Sequence, residues 1–322
     1  MKSKCLLTIL VLASILPATA PAQGYPAKPV RIVVPLAPGG NVDLVARAVA
    51  QRLSESLGQQ VIVDNRPGAS SLVGTQLVAK SPPDGYTILA IANTFAAVPA
   101  VLAKPGYDVV KDFTGVTLTC RVPQVLVVTP TLPVRTVRDL IALAKARPGE
   151  LVYASSGLGS TGHFAAELFN KQAGVKMLHV PYKGNAPAIV DTIAGHVMMI
   201  YDQVSTSAPH VQAGKLRALA VTVREPVPLL PGVPTIEQSG LKGYEYFTYN
   251  GLMAPAGTPR EIVARLHADA AKALANPAMR EKFLALGVEL GASASPEDFT
   301  AYIRKDLATN QQLAKEAGIK LE

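Results

Sequence analysis

Two glycine-containing turns hold the residues best suited to chemistry. One is Leu36-Ala37-Pro38-Gly39-Gly40-Asn41-Val42-Asp43, and the other is Ser155-Ser156-Gly157-Leu158-Gly159-Ser160-Thr161-Gly162-His163. Each follows an apolar run and leads into a helical pattern. The first amides of a helix have no partner within it, and the helix dipole is positive at that end. Such turns hold small anions. The competing reading is geometric, since strand-to-helix turns use glycine for backbone freedom alone.

In the second turn, Ser155, Ser156, Ser160 and Thr161 add hydroxyl donors, which suits a carboxylate without requiring a cationic side chain. Gly157, Gly159 and Gly162 match G-x-G-x-x-G. A dinucleotide site also needs an acid ending the next strand, and here that strand ends Val180-Pro181-Tyr182-Lys183. A P-loop needs Lys and then Ser or Thr where His163 and Phe164 stand. Both nucleotide readings therefore fail. Ser156 or Ser160 with His163 leaves a serine hydrolase open, although G-x-S-x-G is absent and no orienting acid is evident. His179, His196, His210 and His267 have no metal-ligand spacing, so neither a metal nor a cofactor is expected.

Three further segments lie at expected strand ends. Thr94 follows the buried strand Tyr86–Ala92. Lys183, Asn185 and Ala186 lie in the turn before a helix, and Asp202 follows the strand His196–Tyr201. In a parallel α/β sheet such strand ends share one rim, where ligands bind. Asp202 could receive a ligand ammonium or hydroxyl, or simply cap the next helix.

The elements that must position these groups alternate almost throughout, which predicts an α/β protein with mainly parallel sheet. Val42, Val45, Ala46, Val49, Leu53 and Leu57 are spaced as one helix face, with Asn41 as its cap. Phe113–Thr119 and Gln124–Val128 read as two strands, and Ser70–Lys80 as a helix. Asn185 reads as the cap of Ala186–Ala194. Thr258 reads as the cap of a long helix, with Glu261 completing a capping box and Pro259 at the first helical position.

Lys2 and Lys4, the apolar run Cys5–Leu16 and the small residues Ala18 to Ala22 read as a secretory signal peptide over residues 1–22, cleaved near Ala22. No other segment reaches the roughly 18 apolar residues of a membrane helix. Without that leader Cys120 is the lone cysteine, which excludes an intramolecular disulfide. The net charge of +8 becomes +6, with 29 basic and 23 acidic residues left once Lys2 and Lys4 are removed. These charges are scattered, which argues against nucleic acid as a partner.

The segments PLAPGGNVDLVAR, VIVDNRPGA, SPPDGYTILA, YASSGLGSTGHFAAELF, VPYKGNAPA, GKLRALAVT, GVPTIEQSG and GLMAPAGTP occur in this order across nearly the whole mature chain. Together they resemble the extracytoplasmic solute-binding receptors of tripartite tricarboxylate transporters, the Bug family. The resemblance implies a type II periplasmic binding protein fold: two α/β lobes, two crossover strands and a cleft between them. Residues 23–125 with 250–322 would form one lobe and residues 126–249 the other, crossing at Leu126–Val128 and Tyr246–Gly251. It also implies a monomeric periplasmic receptor that binds a small carboxylate and delivers it to membrane permease subunits, without being membrane-embedded itself. The ligand would lie between Leu36, Ala37, Gly39, Gly40, Asn41 and Asp43 of one lobe and Ser155, Ser156, Gly157, Gly159, Ser160, Thr161 and His163 of the other. Thr94, Lys183, Asn185, Ala186 and Asp202 would line the remainder. Within that turn Asp43 reads as the group that fixes the amides. Asn185 replaces a glycine usual in the family, and Leu36 stands where an aromatic residue is common, so this pocket has its own shape. A receptor that signals to a sensor kinase remains an alternative on sequence alone.

Overall fold

A computed structural model of the chain describes residues 24–182 and 184–319. The expected leader, with its cleavage near Ala22, and Lys183 lie outside the described residues.

Strand β1 (Val30–Val34) is central to the first half, and Val30, Ile32, Val33 and Val34 are buried across both of its faces. Its parallel partners are β2 (Val61–Asn65) and β3 (Thr87–Ala92). Helix α1 (Asn41–Leu57) covers this sheet with the stripe expected from its spacing: Val42, Val45, Ala46, Val49, Leu53 and Leu57 are all buried. At roughly 1.5–3 kcal/mol per fully buried aliphatic side chain, that stripe fixes the helix far more firmly than its propensity does. On the other face lie α2 (Leu72–Ala79) and α3 (Thr94–Val101). The expected helix start at Ser70 is corrected to Leu72, because Ala69, Ser70 and Ser71 all have positive φ and form a left-handed elbow.

Strand β4 (Phe113–Val128) is a single strand of 16 residues, not the two that the pattern predicts. From Phe113 to Pro123 it pairs antiparallel with β9 (Phe247–Pro255). From Gln124 to Val128 it pairs instead with β7 (Met199–Gln203) and β8 (Arg217–Val221). The second half of the molecule is built on that end of β4. Strand β5 (Val152–Ser155) pairs in parallel with β6 (Leu178–Pro181) and β7, and helices α4 (Val137–Ala146), α5 (Thr161–Ala173), α6 (Asn185–Ala194) and α7 (Val204–Gln212) pack around them. After β9 come α8 (Arg260–Leu274), α9 (Pro277–Leu284), β10 (Glu289–Leu290) and α10 (Pro296–Ala317).

The resulting strand order is β2-β1-β3-β9-β4-β7-β5-β6. The sheet is mixed, which corrects the mainly parallel expectation. β2-β1-β3 and β7-β5-β6 are parallel groups, and the strands passing between the two halves run antiparallel to their neighbours. This is a two-lobe binding-protein fold joined through β4 and the start of β9.

Two devices brace the junction. The buried Asn93 side chain donates to Phe247 O at 3.0 Å and accepts from Tyr249 N at 2.7 Å, which continues the β3–β9 ladder with a side chain. Helix α10 touches both halves. Tyr249 donates to Asp306 at 2.7 Å and Tyr246 to Asn310 at 3.0 Å, and Lys171 of α5 pairs with Glu316 at 2.9 Å.

Candidate functional site

The first turn is held by a charged knot. Asp43, 2 % exposed, accepts Gly39 N at 2.9 Å, Arg47 Nε and Nη2 at 3.0 Å each, and Asn65 Nδ2 at 2.9 Å. Asn65 also donates to Leu36 O at 3.1 Å and accepts Arg47 Nη2 at 2.8 Å. Burial pushes the Asp43 carboxyl up, but the bonds from Arg47, Gly39 and Asn65 outweigh it and hold the group below the usual carboxylate range. Asp43 thus spends its charge on its own turn. Gly39, at φ 89°, takes a conformation that favours glycine. Ala37 and Gly40 are exposed in this turn.

Asn41 is the first residue of α1 rather than its cap, and Gly40 takes the cap position without a side chain to offer. The amides of Asn41, Val42 and Asp43 have no acceptor among the described residues. The Asn41 amide side chain reaches away from its helix and donates to Gln203 Oε1 at 3.3 Å. Gln203 ends β7, so this bond joins the start of α1 to the second half of the sheet. Thr94 meets Ser71 of the left-handed elbow at 3.0 Å, and neither anion turn bonds to it among the described residues.

The second turn is tethered from within. Ser155 is fully buried, and its Oγ accepts Gly157 N at 3.1 Å and meets His179 Nε2 at 2.6 Å. Ser160 caps α5 by accepting His163 N at 3.4 Å. The ring of His163 accepts Gly159 N on Nδ1 at 3.1 Å and stacks on His179 with centroids 3.8 Å apart. Burial and the neighbouring His179 push His163 down to about 3, and burial pushes His179 down to about 4, so both rings are neutral at pH 7. The carbonyl of Ser156 accepts Gly184 N at 3.2 Å, which ties this turn to the start of α6. The amides of Thr161 and Gly162 have no acceptor among the described residues. Gly162 is required for close packing, because a Cβ there would meet Tyr201 O at 2.6 Å.

Asn185 is likewise the first helical residue and not the cap, which is Gly184. Its side chain donates to Asp202, which also accepts Ser207 Oγ at 2.7 Å and the Thr206 hydroxyl. Burial raises the Asp202 carboxyl above the usual range, although bonds from Thr206, Ser207, the Gln203 amide and Asn185 oppose the shift. Asp202 therefore joins the starts of α6 and α7, and Ala186 is exposed beside it. The same correction holds for Thr258, which bonds back to Pro255 O while Pro259 occupies the cap.

The serine-hydrolase arrangement is not formed. The Nδ1 of His163 is committed to Gly159, Ser160 serves as a cap, and Ser156 is not bonded to His163 among the described residues. No group of three or more metal-ligating side chains occurs among the described residues. None of the described helices is long and apolar enough to cross a membrane. Asn65, Ser71, His179 and Gln203 escaped the sequence reading. Asn65 ends β2 just before a polar turn, Ser71 lies in one, and Gln203 adjoins the strand-end acid, so position was the available signal for these three.

What this arrangement can do is offer a small anion the free first-turn amides of α1 and α5. The sequence matches the tripartite tricarboxylate transporter family receptor (TctC) profile over residues 45–319. It is 41% identical over 295 residues to a UPF0065 protein from the tcbD-tcbE intergenic region of Pseudomonas sp. (strain P51), covering 91% of this chain and 88% of that one. The R. palustris protein Rpa4515, solved with adipate, is 41% identical with a TM-score of 0.75, covering 92% of this chain and 99% of its own. MatC from Rhodopseudomonas palustris, solved with bound malate, is 29% identical with a TM-score of 0.71, covering 90% and 99%. The chain belongs to the tripartite tricarboxylate transporter receptor family, which makes it a receptor and not an enzyme.

Proposed function

We propose that this receptor captures a small carboxylate in the periplasm between the turns at 36–43 and 155–163 and delivers it to the permease subunits of a tripartite transporter. One observation carries the reading: two strand-to-helix turns from opposite lobes each keep unclaimed first-turn amides, and each is braced so that those amides stay fixed. Pre-set donors favour a carboxylate because little ordering remains to be done on binding. Relatives solved with adipate and with malate support a ligand with two acidic ends, one for each turn.

The lobes divide near residues 125 and 250, and closure is a rotation about the β4 and β9 crossings. The change of β4 partners after Pro123 supports this hinge. The ligand docks on one helix start, and the second lobe then completes its hydrogen bonds. Each charge-assisted bond contributes roughly 1.5–3 kcal/mol, so three or four support micromolar affinity. The receptor acts as a monomer. Calorimetry with a panel of mono-, di- and tricarboxylates tests the reading. Binding of a dicarboxylate is expected, and absence of both heat and thermal shift with every member would refute it.

A further inference from the structure

We propose that His179, on β6, is a positioning residue for the second anion turn, fixing its amides through Ser155 and through the ring of His163. The proposal rests on the carboxylate-receptor reading, and its test includes a readout that does not.

Ser155 to His163 contains three glycines in nine residues. Such a segment is costly to order without tethers. Ser155 Oγ has three neighbours: Gly157 N at 3.1 Å, Gly157 O at 2.9 Å and His179 Nε2 at 2.6 Å. A hydroxyl has one proton and two lone pairs. All three contacts are satisfied only when Ser155 donates to Gly157 O and accepts from both Gly157 N and His179 Nε2. That assigns the proton of His179 to Nε2. His163 must likewise carry its proton on Nε2, because its Nδ1 accepts Gly159 N.

The two imidazoles then act as one brace. His179 holds the Gly157 end of the turn and His163 holds the Gly159 end. The rings stack at 3.8 Å with 15° between their planes, which sets the distance between the two tethers. Tyr153 packs on His179 at 5.0 Å and is itself bonded to Glu167 of α5, so the stack is anchored on the strand and helix that flank the turn. A protonated ring would place N–H against N–H at Gly159 and would stack a cation on its neighbour. Burial of both rings opposes that state.

Three variants test the assignment. His179→Phe keeps a ring in the stack but loses the bond to Ser155. His179→Gln restores an N–H near the Nε2 position without the ring, and Ser155→Ala removes the other partner. In ligand-free protein, hydrogen exchange at Gly157 N should rise at least tenfold in His179→Phe, and His179→Gln should recover part of it. Adipate affinity should fall about tenfold in His179→Phe, and Ser155→Ala should add little on top of it. Unchanged Gly157 exchange in His179→Phe, or effects of Ser155→Ala and His179→Phe that simply multiply, would overturn the proposal. Should the phenylalanine variant fail to fold, His179→Leu, which also lacks the N–H, takes its place under the same criteria. A wild-type protein that ignores adipate bears on the receptor reading, while the ligand-free exchange still decides the role of His179.

Discussion

Replacing Asp43 by Asn tests whether the first turn is pre-set by charge. The carboxylate accepts from Gly39, twice from Arg47 and from Asn65. Asn offers one oxygen, and its NH2 group must face donors that formerly met a carboxylate. Bonds to charged groups contribute about 1.5–3 kcal/mol each. Arg47 is half exposed, so water takes over part of its solvation. The expected loss of stability is therefore about 2–3 kcal/mol, or roughly 5–10 °C in Tm for a lobe of this size. Releasing the Gly39 amide should lower carboxylate affinity about tenfold, equivalent to about 1.4 kcal/mol. Calorimetry with thermal unfolding of the same samples measures both. The carboxyl is held low in the folded state, so its contribution is present above about pH 4 and is lost as pH falls through the folded value. The stability gap between wild type and variant should consequently close only in acid. Unchanged affinity, or a gap that is constant down to strong acid, would refute the reasoning.

Other outcomes follow from the same geometry. Gln203→Leu removes the acceptor of Asn41 across the lobes, and it should speed ligand release severalfold in stopped-flow with Tm nearly unchanged. His163, 3 % exposed, is pushed from 6.5 to about 3. The unfolded chain gains its proton first, so His163 should cost about 1.4 kcal/mol of stability per pH unit as pH drops below 6.5, beside a similar share from His179 down to about pH 4. His163→Asn, which keeps an acceptor for Gly159, should remove the His163 share of that slope in acid denaturation and leave the His179 share. Asn93→Ala unpairs Phe247 O and Tyr249 N at the junction and should cost about 2–4 kcal/mol in urea unfolding. Gly162→Ala drives a methyl against Tyr201 O and should shift α5, lowering both Tm and affinity.

The β1–α1 unit was legible because its apolar spacing is set by one buried face, and that face is what the structure uses. The glycine turns were legible for a similar local reason, since only a few residue types fit them. Asn41 and Asn185 were misread as caps because their side chains serve distant partners, Gln203 and Asp202, that local sequence does not reveal. Helix α3 was missed: Thr94–Val101 is nearly all apolar and contains Pro99, so it shows little face and a breaker. The role of His179 depends on a partner 24 residues away, beyond any spacing rule for a catalytic or metal-binding histidine. That β4 runs unbroken through its change of partners was also hidden, because Arg121 and Pro123 interrupt the apolar pattern there.

The place of β9 in the sheet has a consequence for how the chain acquires its shape. β9 lies between β3 and β4, so the central sheet of the first half has a gap until residues 247–255 are available. The strands from β5 to β8, with the end of β4, are by contrast contiguous in sequence. Such high sequence separation slows assembly. The middle of the chain should therefore mature first, and the lobe carrying both termini should close last. Pulse-labelling hydrogen exchange during refolding should find β5 and β7 protected before β1 and β3. A chain ending before β9 should expose unpaired edges on both β3 and β4 and aggregate.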